Sequence, residues 1–261
     1  MSRFNANNIS ATFSNGFSLH NISLTLEPGE VVGLIGPNGS GKSTLLNVLQ
    51  GTLPRNSGDI LVDGEKLERM SGNKRAQTIG YMAQQGDIHW PLSVEKIIAL
   101  GRTPYADKKG SVDVGFLIER AMEMTDVLHL RERRATELSG GEKARVLLAR
   151  VLVGEPSIIF ADEPVAALDP SHQLSVMNML RGFASKGGSS LVVLHDLTLA
   201  ARYCDRLVLL DSGRSVTSGA PSQVLTHDIL WDVYGIRAKL LNDEALGLMV
   251  IPYLEPAIPS F

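Results

Sequence analysis

The stretch "GPNGSGKS", residues 36–43, sets three glycines, a lysine and a serine at the spacing G-x-x-x-x-G-K-[ST]. Glycines let backbone N–H groups turn inward around phosphate oxygens, and a following helix N-terminus adds partial positive charge. The pattern predicts a phosphate-binding loop made of Gly36, Pro37, Asn38, Gly39, Ser40, Gly41, Lys42, Ser43 and Thr44. In it, Lys42 is placed to bridge the β- and γ-phosphates and the Ser43 hydroxyl to ligate Mg²⁺. The dinucleotide fingerprint G-x-G-x-x-G does not fit, because Asn38 stands where its second glycine is required. The reading is a nucleoside triphosphate site.

Carboxylates for that site come from "SIIFADEP", an apolar run that delivers Asp162 and Glu163. Asp162 can hold Mg²⁺, and Glu163 can polarise an attacking water. A phosphate kinase needs a separate acceptor pocket, for which the sequence has no signature, so hydrolysis is the expected chemistry. A second glycine turn lies in "ELSGGEKARVLLAR", residues 137–150, with Ser139 as a helix N-cap and Glu142 as its capping-box partner. An isolated SGG would merely punctuate two helices. His195 ends the run "SLVVLH", where a lone histidine would ordinarily be structural.

These groups need a scaffold, and the apolar pattern supplies one. "VVGLIG" followed by "STLLNVLQG" reads as strand, loop and helix, with Leu45, Leu46 and Leu49 at helical spacing. "SIIFAD", "SLVVLH" and "RLVLLD" read as further strands alternating with helices, which predicts an α/β sheet, largely parallel and covered on both faces. From about residue 91 to 153 the pattern is helical, with Val94, Ile97 and Ile98 on one face, and is read as an insertion into the sheet. "DSGR" with "SVTSG" predicts a small hairpin. The region after Pro221 is mixed and carries no recognisable chemistry.

With 44% apolar and 20% charged residues in 261, the composition is that of a globular protein with a substantial core. A net charge of −3 argues against a nucleic-acid-coating role. The polar start predicts no secretory signal, and the apolar runs are strand-sized, short of the roughly 20 residues of a membrane helix. A soluble chain is expected, with any membrane role through a partner. Cys204 is the only cysteine, which excludes internal disulfides and fits a small buried hydrophobe in a reducing cytoplasm.

The run "LSGGE" closely resembles the signature motif of the ATP-binding cassette (ABC) ATPases. The resemblance extends over about residues 3 to 225 in the family's own motif order. It implies a P-loop NTPase (RecA-like) core sheet with an N-terminal antiparallel β portion and an inserted α-helical signature subdomain. On this reading residues 1–261 form one ABC ATPase domain. Residues 1–86 and 154–220 are the nucleotide-binding core, 87–153 the helical subdomain and 221–261 a C-terminal tail. The resemblance places Gln84 of "IGYMAQ" at the Q-loop glutamine that approaches Mg²⁺, with Gln85 as the other register. It places Asp169 of "AALD" at the D-loop and His195 at the switch position near the γ-phosphate. Phe13 matches the aromatic that stacks on adenine, and Phe17 is the alternative.

In this family the signature of one chain meets the nucleotide held by another. The resemblance therefore implies a homodimer with two composite ATP sites, each combining Lys42 of one subunit with Ser139, Gly140, Gly141 and Glu142 of the other, and Asp169 crossing the interface. The runs "PLSVEKIIALGRTPY", "ADEPVAALDPSHQLSVMNML" and "SGAPSQVLTHDILWDVYGI" look like the ATPases that energise bacterial uptake of iron chelates, haem and cobalamin. That resemblance implies two integral-membrane permease subunits, an indirect periplasmic or lipoprotein substrate-binding partner, and a place at the cytoplasmic face of the cell membrane. The alternative is a soluble ABC ATPase acting in DNA repair or translation.

Overall fold

Why the central strands read as near-continuous apolar runs becomes plain in the computed structural model, which describes residues 3–14, 16–84, 91–105, 113–244 and 246–253. The chain opens with β1 (Phe4–Thr12), β2 (Ser18–Leu26) and β3 (Val31–Ile35), followed by α1 (Lys42–Leu49). β4 (Ser57–Val62), β5 (Glu65–Lys66), α2 (Gly72–Thr78) and β6 (Ile79–Met82) come next. The helical stretch contributes α3 (Val94–Ala99), α4 (Val114–Met124) and α5 (Gly140–Leu152). Alternation then resumes with β7 (Ile158–Asp162), α6 (Pro170–Ser185), β8 (Ser189–Val193), α7 (Leu197–Tyr203), β9 (Arg206–Asp211) and β10 (Arg214–Gly219). The chain ends in α8 (Pro221–Val224), α9 (His227–Tyr234), β11 (Arg237–Asp243) and β12 (Gly247–Tyr253).

One ten-stranded sheet runs in the order β5-β4-β1-β2-β10-β9-β3-β8-β7-β6. β9, β3, β8, β7 and β6 are parallel, while β5, β4, β1 and β2 pair antiparallel, as expected of the N-terminal portion. The parallel strands are therefore half of the sheet, less than the apolar runs alone suggested, because the antiparallel strands with polar alternation belong to the same sheet.

Each parallel strand is buried on both faces, and its alternate residues feed two different cores. Val31, Ile159, Ala161, Val192 and Leu207 face the core shared with α5, α6 and α7. Val32, Phe160, Leu191 and Val208 face the core shared with α1, β1, β2 and β4. This is the two-sided burial expected of parallel strands under helices. A third core, around Val94, Ile97, Ile98, Leu117, Ile118 and Met122, lies wholly within residues 94–153. α5 bridges the cores, because Val146 and Ala149 enter the third while Leu148 and Leu152 enter the first.

The predicted hairpin is β9–β10, turning through Ser212 (φ 47°) and Gly213 (φ 75°), the positive dihedrals of a primed turn. Cys204 is buried, and burial pushes its thiol up to about 12. In the region after Pro221, Leu230, Ala238 and Val250 are buried in the first core. Their side chains carry only short apolar patterns, which is why sequence periodicity did not reveal them.

Phe160 ties the two sheet portions together, meeting Phe4 edge-on at 5.3 Å between ring centroids. Phe160→Ala is expected to cost about 3–5 kcal/mol of unfolding free energy in urea titrations, and a loss below about 1 kcal/mol would contradict this packing role.

Candidate active site

Four connections at one edge of the sheet converge. The loop after β3 carries residues 36–41, and Gly36 (φ 150°) lies so close to the Leu210 carbonyl that a Cβ there would overlap it. The loop thus needs glycine at its first position. α1 starts at Lys42 with Gly41 as N-cap and no side-chain cap, so its first N–H groups face the loop. Lys42 is 5% exposed, and its Nζ donates to the Gly36 and Pro37 carbonyls at 2.9 Å each. Burial lowers the Lys42 pKa, while Glu163 and Asp162 pull it back up.

β7 ends on Asp162, which is 3% exposed. Its Oδ1 accepts the Ser43 hydroxyl at 3.0 Å and its Oδ2 the Tyr81 hydroxyl at 3.4 Å. Burial raises the Asp162 carboxyl above the usual range against the hydrogen bond from Ser43. Burial, then the Asp162 charge, pushes the Tyr81 phenol up to about 12. Tyr81 was missed by the motif reading: its signal, a tyrosine three residues before Gln84 in a strand paired with β7, is indistinguishable from core packing.

Glu163 leaves the strand in the left-handed region (φ 50°), a conformation uncommon for a non-glycine residue. Its carboxylate is clasped from both sides. Gln84 Nε2 donates to Oε2 at 2.6 Å, and His195 Nε2 lies 2.6 Å from Oε1. Gln84 follows β6 and His195 follows β8, so the strand order β8-β7-β6 aligns the three groups. Gln85 lies outside the described residues.

A cleft of about 530 Å³ is lined by Phe13, Phe17, Asn38, Lys42, Ser43 and Glu163 among others, a size suited to a nucleotide-sized ligand. Both phenylalanines line it, and the Phe17 ring also packs against Gly41. None of the signature residues lines this cleft. Ser139 caps α5 by accepting from the Glu142 N–H at 3.3 Å, while Glu142 Oε2 accepts from the Ser139 N–H at 2.8 Å. This capping box lowers the Glu142 pKa, the Ser139 backbone bond being the largest cause. Gly141 abuts the His172 ring so closely that a Cβ would overlap it. Gly140 lines a second cavity of about 200 Å³ with Gln84, Glu163 and Leu168, and Glu163 borders both.

Asp169 caps α6, accepting from Ser171 Oγ at 2.8 Å and the His172 N–H at 3.1 Å, with His172 Nδ1 at 2.8 Å. The start of α6 is thereby joined to the start of α5 through the His172–Gly141 contact. Neither the His172 ring nor this contact was visible in the motif pattern.

A family model described as ABC transporter matches residues 19–166. The chain belongs to that family, and it is an ATP-binding ATPase whose hydrolysis is coupled to transport. Its relatives narrow the comparison. The hemin import ATP-binding protein HmuV of Pseudomonas fluorescens (strain Pf0-1) is 44% identical over 234 residues, covering 88% of this chain and 91% of that protein. The protein of the same name from Bordetella avium (strain 197N) is 42% identical over 243 residues, covering 89% and 93%. Among solved structures, a chain of an inward-facing ABC transporter assigned to the metal-chelate type matches with TM-score 0.83 at 22% identity, covering 98% of this chain and 99% of that one. At that identity the likeness shows the fold. Among the described residues no helix is long and apolar enough to cross a membrane.

The Ser171 hydroxyl is the largest cause holding the Asp169 carboxyl down to about 2, followed by the His172 N–H and ring. Because the folded pKa is depressed, this contribution to stability is present above the ordinary aspartate pKa and fades as pH falls toward 2. Ser171→Ala is expected to move the Asp169 ¹³C-carboxyl titration upward in NMR. An unchanged midpoint would remove the hydroxyl as the cause.

Proposed function

We propose that this chain is the ATPase subunit of a bacterial importer for haem or a related iron chelate or corrinoid. It works as a homodimer against two permease subunits at the cytoplasmic face of the membrane. An extracytoplasmic substrate-binding protein delivers cargo to the permease and does not touch this chain. Similarity over nearly nine-tenths of the chain to proteins named for hemin import supports this reading over DNA- or ribosome-directed ATPases.

The observation that carries the catalytic part is the Glu163 carboxylate held between Gln84 and His195 beside the Lys42 cleft. In this reading the residue 36–44 loop and the α1 N-terminus bind the phosphates, and the Lys42 ammonium sits at the β- and γ-phosphates. Phe13 stacks on adenine, and Phe17 packs against Gly41 of the loop. Glu163 takes the proton from the attacking water, and His195 holds Glu163 and senses the γ-phosphate. Gln84 links this carboxylate to the helical region that follows it.

The donor set suits Mg²⁺: the Ser43 hydroxyl, the Asp162 carboxylate and the Gln84 amide are hard oxygen ligands, and Ser43 and Asp162 already meet at 3.0 Å. Mg²⁺ uses one or two carboxylates plus substrate phosphates rather than an all-protein cage. When bound, the ion would neutralise phosphate charge.

Ser139, Gly140, Gly141 and Glu142, with Asp169, complete the partner's site. The α5 N-terminus offers backbone N–H groups to the γ-phosphate held by Lys42 of the other subunit. No residue of this turn lines the Lys42 cleft of its own chain, which supports a role in trans.

A complementation experiment tests the composite site. Lys42→Ala and Ser139→Ala subunits are each expected to be nearly inactive, while a mixture regains ATPase activity because each mixed dimer keeps one intact site. Activity of the mixture no higher than that of either variant would overturn the trans arrangement.

A further inference from the structure

The C-terminal segment carries no catalytic motif, yet it grips the element that follows His195. Thr198, in the first turn of α7, donates its hydroxyl to the Val250 carbonyl at 3.0 Å and accepts the Val250 N–H at 3.1 Å. Both bonds go to one residue of β12, so helix and hairpin are pinned together at a single point. Packing surrounds the pin: Val250, Ala238 and Leu230 of the C-terminal segment share a core with Leu199, Ala200 and Tyr203 of α7. β11 and β12 pair continuously from Arg237↔Tyr253 to Asp243↔Gly247, so the hairpin acts as a braced unit. Its entry is fixed by α9, which ends at Gly235 in the left-handed conformation, and by Arg237, stacked 4.3 Å from the centroid of the Trp231 ring.

His195 sits immediately before Asp196, the N-cap of α7, whose Oδ1 accepts the Leu199 N–H at 2.9 Å. On its other side, the Leu194 N–H donates to the Leu34 carbonyl at 3.2 Å. The imidazole itself is 43% exposed, so its place opposite Glu163 is set chiefly by the backbone between β8 and α7. A shift of α7 therefore moves His195. The same segment also reaches the phosphate-binding loop: burial raises the Tyr234 phenol pKa, and the Gly36 backbone lowers it in opposition.

Resting on the reading of His195 and Glu163 as the hydrolytic pair, we propose that α9 with the β11–β12 hairpin is a positioning element of the ATPase site. Thr198 is its positioning residue: through Val250 it fixes α7 and hence the His195–Glu163 distance. Displacement of the hairpin slows hydrolysis while leaving nucleotide binding in place, which gives the C-terminal segment control over turnover.

The test is a steady-state ATPase comparison of Thr198→Val, Thr198→Ser, His195→Ala and the Thr198→Val/His195→Ala double variant of the full chain. Thr198→Val keeps the shape but removes both hydroxyl bonds, and it is expected to lower kcat about 5-fold with little change in KM for ATP. Thr198→Ser should restore kcat. With His195 already removed, Thr198→Val should add no further loss, since residues acting through one another are non-additive. An unchanged kcat in Thr198→Val would overturn the proposal while leaving the hydrolytic pair intact. So would an equal fold-loss in both backgrounds, which marks a general structural defect. Full activity in His195→Ala would instead remove the hydrolytic pair itself, and the proposal with it.

Discussion

The Glu163 carboxylate, held at 2.6 Å on one side by Gln84 and at 2.6 Å on the other by His195, is the interaction on which the site's arrangement depends. Three adjacent parallel strands must end in register for it to exist. β7 carries Glu163 past its end, β6 leads into Gln84, and β8 leads into His195. The two-sided burial of these strands fixes that register, because a one-residue slip would exchange the residues facing the two cores. Core packing and site geometry are thus one constraint. The left-handed backbone at Glu163 then turns the carboxylate out of the strand line, toward its two partners.

Around this clasp the charges are arranged with little slack. Lys42 and Asp162 are both almost fully buried, and burial works against the charged form of each. Each is nonetheless hydrogen-bonded, Lys42 to two loop carbonyls and Asp162 to Ser43 and Tyr81. Buried polar groups with satisfied partners form a rigid network, whereas the same groups unpaired would be destabilising. The second glycine turn is built differently. Its capping box holds Ser139 and Glu142 together locally, and its link to α6 passes through Gly141 and His172.

Much of the site was legible because its information is local. The residue 36–43 loop is contiguous, its glycines and lysine are at fixed spacing, and its apolar strand and helix lie on either side. Asp162 and Glu163 were legible for the same reason, as carboxylates directly after an apolar run, and the Ser139–Glu142 capping box needs only four residues. His195 and Asp169 became readable only through the order of motifs, since a histidine after a strand has no pattern of its own. What stayed hidden depends on long-range contact. Tyr81 reaches Asp162 across 81 positions, and Thr198 reaches Val250 across 52. Neither separation leaves a trace in periodicity. The joining of the antiparallel strands to the parallel ones also rests on pairing between distant segments, such as the single register of Arg214 with His20.

If the Glu163 clasp is the centre of the chemistry, its charge should matter to hydrolysis and not to nucleotide binding. The direct measurement is single-turnover ATP hydrolysis by Glu163→Gln, with nucleotide affinity determined in parallel. The amide keeps the size of the side chain but cannot accept a proton from water. Affinity close to that of the native chain and a hydrolysis rate lower by about 10²-fold or more are expected. A hydrolysis rate equal to that of the native chain would show that Glu163 is not the base.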